Sequence, residues 1–156
     1  MTPQTISDLA LHEPQPIHVD DTVAEAVRQL ADSGLPAIPV VDGHQKYKGI
    51  FGEREFMEAL FPGYLGQLHG AAFISRSLDD ALEKRDSCRN EPVARYMNTE
   101  HIDVGPDFAD TQIAEIFMHH RVLIIPVVAV GRVQGVITRM DFFRAMTERF
   151  LAGGSA

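Results

Sequence analysis

The chain has 156 residues, 45% hydrophobic and 23% charged, which suits one domain or two small halves sharing a core and excludes wholesale disorder. Against 22 Asp and Glu stand 14 Lys and Arg, a formal charge of −8. That sign argues against a nucleic-acid or anionic-membrane partner, because such binding runs on phosphate neutralisation.

In chain order, Ile17 and Val19 alternate as a short strand. Val23, Ala26, Val27 and Leu30 follow at i, i+3, i+4 and i+7, one apolar helical stripe. Thr22 and Glu25 have capping-box spacing at its start, and Gly34 supplies a stop. Ile38 to Asp42 reads as a buried strand, Asp42-Gly43 as a turn and Tyr47 to Phe51 as the hairpin partner. A second helix begins near Glu53, with Phe56, Met57 and Leu60 on one face, and Phe61-Pro62-Gly63-Tyr64 ends it. Residues 61–92 form an inserted connecting segment, either a surface excursion or a binding element. Within it Ser77 opens a short helix carrying Leu78, Ala81 and Leu82. Ile113, Ile116 and Phe117 mark another helix, Ile124 to Val130 and Val133 to Thr138 another hairpin, and Met140 to Phe150 a closing helix. Its Phe142, Phe143, Met146 and Phe150 make a stripe for the core or a dimer contact, and 151–156 is a flexible tail.

These elements repeat. Leu35-Pro36-Ala37-Ile38-Pro39-Val40-Val41 matches Val122-Leu123-Ile124-Ile125-Pro126-Val127-Val128 at an offset of 87, and Gly49-Ile50-Phe51 matches Gly135-Val136-Ile137 at 86. Small shifts of this kind are loop insertions and deletions, which a duplicated fold tolerates. The first unit, with an N-terminal lead-in, spans 1–60 and the second 93–150. The fold class is therefore α/β (α+β), two βαββα units. One unit alone would leave an apolar sheet face bare, so the two pack on each other.

The proline strands, the run Gly135-Val136-Ile137-Thr138-Arg139-Met140-Asp141, and the lead-in Val93-Ala94-Arg95-Tyr96-Met97 together resemble the tandem cystathionine-β-synthase (CBS) domain pair, the Bateman module. Ile6-Ser7-Asp8-Leu9 is a weaker lead-in to the first unit. The resemblance implies two units about a pseudo-twofold, pairing of modules into a homodimer, and clefts for AMP, ADP, ATP or S-adenosylmethionine. It implies regulation of a separate effector protein in trans and no catalysis of its own. No tightly bound cofactor is expected.

Thr138 and Asp141 lie three apart where a strand turns into a helix, and a carboxylate there suits the two hydroxyls of a ribose. The same two residues could serve only to cap that helix. By resemblance, Gln15, Ile17, Leu35, Pro36 and Ala37 wall the base, with Arg139 a nearby cation. A second candidate site uses Gly52, Arg54, Glu55, Met97, Ile102, Leu123 and Ile124, but Gly52 lacks a hydroxyl and Glu55 adds a methylene. The positions where the kinase-regulating members carry basic pairs are here Pro36-Ala37 and Leu123-Ile124, so adenosine, AMP or a sulfonium ligand is expected ahead of ATP.

His119 and His120 diverge by about 100° on a helix and do not form a zinc pair, so no metal site is expected. Cys88 has no disulfide partner and no evident base beside it, which fits a reducing, cytoplasmic setting and no nucleophilic role. Residues 1–16 hold no basic-then-apolar leader, and the longest apolar run, Val122 to Val130, is far short of the roughly 20 residues that span a bilayer. The expectation is a stand-alone adenosyl-ligand sensor. The alternative is a dimeric scaffold whose clefts are empty.

Overall fold

The computed structural model describes residues 11–61, 77–100 and 102–153. The lead-in Ile6-Ser7-Asp8-Leu9 and Pro62-Gly63-Tyr64 lie outside them. The first sheet holds β2 (Ile17–His18), β3 (Ala37–Val41) and β4 (Tyr47–Gly52), in that order. The second holds β1 (Leu11–His12), β6 (Arg132–Thr138) and β5 (Ile124–Ala129). The helices are α1 (Val23–Ser33), α2 (Glu53–Leu60), α3 (Leu78–Lys84), α4 (Asp110–His119) and α5 (Arg139–Gly153).

Local chemistry explains the boundaries. The Thr22 hydroxyl accepts from the Glu25 N–H at 3.1 Å while the Glu25 carboxylate accepts from the Thr22 N–H at 3.0 Å, a complete capping box. Gly34 ends α1 at φ 71°, a left-handed position that glycine takes without a Cβ penalty. The Ser77 hydroxyl accepts from the Asp80 N–H at 3.1 Å and starts α3. In the second unit, Ala109 stands at the head of α4 with no side-chain cap. The closing helix outlasts its expected end at Phe150 and continues to Gly153, so only 154–156 remain of the expected tail, outside the described residues.

Pro39 sits in the central strand of its sheet, where a missing N–H is normally costly, and Pro126 sits in β5, an edge strand met on its outer side by an isolated bridge from Val104. Here the parallel neighbour begins just beyond each. Ile17 pairs with Val40, and Val104 bridges Val127, its N–H donating to the Pro126 carbonyl at 3.0 Å. The strand ahead of each proline is thus left without a parallel partner.

Two apolar clusters follow the duplication. One gathers Ile17, Val23, Leu30, Ile38, Phe51 and Val93, the other Ile113, Phe117, Ile125, Val127, Ile137 and Phe142. Burying one such side chain is worth roughly 1.5–3 kcal/mol. The units meet through Ala37, Ile50, Ile124 and Val136, two pairs of equivalent positions, as a pseudo-twofold requires. The described end of the connecting segment and the start of the second unit both pack on the first unit. Cys88 enters the first cluster, the Val23 N–H donates to the Glu91 carbonyl at 2.9 Å, and the Val93 N–H donates to the Asp21 carbonyl at 2.8 Å.

The lead-ins cross over. Leu11 and His12 pair with Ile137 and Val136 of the second sheet, and Asn98 pairs with Ile50 of the first. Each lies on a glycine. A Cβ on Gly135 would fall 2.8 Å from the His12 carbonyl oxygen, and one on Gly49 would fall 2.6 Å from that of Asn98. The glycine opening each strand motif is therefore a requirement for close backbone approach.

Candidate functional site

At the start of α5 the Thr138 hydroxyl donates to Asp141 Oδ2 at 2.8 Å and accepts from the Asp141 N–H at 3.1 Å. The His12 imidazole, brought over by β1, donates through Nε2 to the same oxygen. An ionised carboxylate only accepts, so Nε2 carries the proton. The His12 contact holds the Asp141 carboxyl below the usual carboxylate range; partial burial opposes it, and Thr138 and Arg144 assist. Thr138 is buried, whereas the Asp141 side chain keeps 32% of its surface open. Capping and carboxylate placement are thus one arrangement.

The base-side residues expected for this cleft divide. Gln15 and Leu35 line a pocket of about 370 Å³ that also holds His12, Glu13 and Asp32. Ile17 is fully buried in the first apolar cluster and presents no side-chain surface to a ligand. Pro36 uses its carbonyl to accept from the Glu53 N–H at 3.0 Å. Ala37 lies on the other side and faces the Glu55 cleft. Arg139 is exposed, and its N–H donates to the Leu123 carbonyl at 3.0 Å.

The second candidate site assembles more completely. Arg54, Glu55, Leu123 and Ile124 line one recess with Ala37 and Asn98. Arg54, Glu55 and Met97 continue into an adjoining polar pocket of about 590 Å³. Ile102 belongs instead to the second apolar cluster. At Gly52 a Cβ would sit 2.4 Å from the Ala37 Cβ, so the lost hydroxyl reflects a lack of room. Burial pushes the Glu55 carboxyl up, the opposite of Asp141.

Sequence reasoning missed His12 and Asn98. The offset of 86 that places Ile50 on Val136 also places His12 on Asn98, but it does not say which sheet either residue joins. It set aside His119 and His120, which are exposed and line the 590 Å³ pocket beside Arg121. Among the described residues no group of three or more His, Cys, Asp or Glu is placed to hold a metal, and no helix is long and apolar enough to cross a membrane.

The family profile described as "CBS domain" matches residues 6–62 and again 93–148. The chain belongs to the CBS domain family. Among solved structures it resembles the CBS domain of a CBS-domain-containing membrane protein from Sphaerobacter thermophilus, with a TM-score of 0.68 and 20% identity over 90% of this chain and 86% of that one. It also resembles CBSX2, solved in complex with AMP, with a TM-score of 0.66 and 17% identity over 94% and 98% of the two chains. A curated relative, the A-adding tRNA nucleotidyltransferase of Geobacter sulfurreducens, is 29% identical over 92% of this chain, which spans only 13% of that protein's length. The duplication, crossed lead-ins and proline strands of this chain are thus those of a CBS pair, a regulatory type of domain.

Proposed function

We propose that this CBS pair is a non-catalytic, cytoplasmic regulatory module that binds an adenosine-containing ligand between its repeats and signals to a separate protein. The observation that carries the reading is the ionised Asp141 beside Thr138, partly open at the start of α5. A vicinal diol offers two donors to one carboxylate. One would take Oδ1, and the other would compete with His12 for Oδ2. The AMP complex of CBSX2, a protein of the same fold, supports this ligand class. Ligand shifts the balance between arrangements of the repeats only by its difference in affinity for them, typically about 1–3 kcal/mol.

The exposed Met140, Phe143, Phe150 and Leu151 of α5 supply an apolar face for a second copy, and homodimerisation belongs to the same proposal. The scaffold alternative draws on the second cleft, where Gly52 leaves no hydroxyl and burial disfavours an ionised Glu55. Thermal unfolding with adenosine, AMP, ADP, ATP and S-adenosylmethionine separates the two. A ligand at 100 times its dissociation constant adds about 2.7 kcal/mol of stability. A rise with at least one of them supports the sensor, and no response to any supports the scaffold.

A further inference from the structure

Helix α1 turns Val23, Ala26 and Leu30 into the core. Beside that stripe Ala24, Val27, Arg28 and Ala31 fall at i, i+3, i+4 and i+7, and all four line a pocket of about 360 Å³. Helix α2 adds Phe56 and Leu60, and the described connecting segment adds Leu82, Arg85, Asp86 and Arg89. The pocket shares no lining residue with those beside Asp141 and Glu55. The N-cap positions of α1 and α4, Thr22 and Ala109, stand 87 apart, which sets Arg28 on Glu115 and Ala31 on Met118. The second repeat thus inverts the charge and fills the space at these two positions. The pocket belongs to the first repeat and the segment laid on it, and the duplication does not account for it.

In a chain of formal charge −8, three arginines and one aspartate line this pocket. Asp86 is paired with Arg89. Arg85 is half-buried and held in place: its Nε donates to the Ala59 carbonyl at 2.9 Å and its Nη2 to the Tyr96 hydroxyl at 3.0 Å, which uses two of its five donors. Arg28 is exposed and forms no ion pair among the described residues. Apolar side chains from three helices, with two guanidinium groups that no carboxylate in the pocket neutralises, complement a molecule with an apolar body and one anionic end. A planar carboxylate matches the guanidinium fork.

We propose that this pocket is a site for a small amphiphilic carboxylate, with the apolar body against Val27, Phe56, Leu60 and Leu82 and the carboxylate on Arg28 and Arg85. The assignment is independent of the adenosyl reading above, since the two draw on different residues. Such a molecule would touch the first repeat and the connecting segment together.

Calorimetric titration of octanoate, octan-1-ol and acetate into the full chain tests it, on the wild type, Arg28→Gln and Leu82→Ser. Both side chains are exposed, so their replacement leaves the core intact. Octanoate is expected to bind the wild type at one site, more tightly than octan-1-ol, and acetate to give no measurable binding. Arg28→Gln should weaken octanoate about threefold or more at low salt and leave octan-1-ol unchanged. Leu82→Ser should weaken both. Methyl resonances of Val27, Leu60 and Leu82 should shift on addition of octanoate, and those of Leu35 and Leu123 should not. No octanoate binding to the wild type, equal binding to wild type and Arg28→Gln, or shifts centred on Leu35 or Leu123 would overturn the site. If octanoate does not bind and Leu82→Ser instead abolishes a concentration-dependent association seen by sedimentation, the pocket takes a second copy of the chain and the proposal fails.

Discussion

The starts of α2 and α5 are the same construction with different contents. At α5 a buried threonine, an aspartate and an imported histidine form one hydrogen-bonded group, and the carboxylate is held ionised. At α2 the threonine's place is a glycine with no room for a side chain, the histidine's place is Asn98, and the longer Glu55 is pushed toward its neutral form. Duplication conserved the backbone plan, and the two clefts have since taken different chemistry. At Asp141 the imidazole brought over by the opposite lead-in lowers the carboxyl, and at Glu55 burial raises it.

The largest effect is expected when one helix start is forced to copy the other. Gly52→Thr places a Cβ against the Ala37 Cβ and Pro36 carbonyl and is expected to cost about 3 kcal/mol or more rather than create a second hydroxyl site. Gly135→Val, which presses on the His12 carbonyl and the Leu11 side chain, should cost about 1–3 kcal/mol by lifting the crossed lead-in. Urea midpoints with unchanged slopes would read both effects. A harmless Gly135→Val would mean that β1 does not lie on that sheet.

Thr138→Val keeps shape and removes the hydroxyl, so it should cost about 1–2 kcal/mol and let the Asp141 carboxyl rise toward ordinary values. Helix caps sharpen the contrast between repeats. Thr22→Ala is expected to lose about 1 kcal/mol, whereas Ala109→Ser should gain up to about 1 kcal/mol. Calorimetric melting of the two variants tests the pair of opposite signs.

Acid titration yields the smallest differences, and they differ in sign. Asp141, with a lowered folded pKa, adds stability that is present above 3.8 and lost as pH falls through its folded value. Glu55, with a raised one, takes stability away as pH rises above 4.5. Asp141→Asn should therefore lose most relative to wild type near neutrality, while Glu55→Gln should gain there. Unfolding free energies from about pH 3 to 7 would show the two trends diverging.

Much of the fold was legible because its signals are local or periodic. The helical stripe from Val23 to Leu30, the Thr22–Glu25 box and the paired proline strands each declare themselves within a few residues. The crossed lead-ins were not legible, because β1 is two residues long and its paired residues lie 124 and 126 positions away. Thr138 and Asp141 share one helical turn and could be joined from sequence. His12 reaches them only through that crossing, and the Arg54–Arg121 pocket draws on separate segments of both repeats. Ile17 and Ile102 were assigned to the clefts by resemblance alone, and Ile17 packs within the first apolar cluster while Ile102 packs against the second.

The most direct test is calorimetric titration of adenosine into the wild type and Asp141→Asn, which keeps side-chain size and removes the charge. Binding to the wild type and at least a tenfold loss in the variant, about 1.4 kcal/mol, are expected. Equal affinity for the two proteins would rule out Asp141 as the carboxylate that holds the sugar.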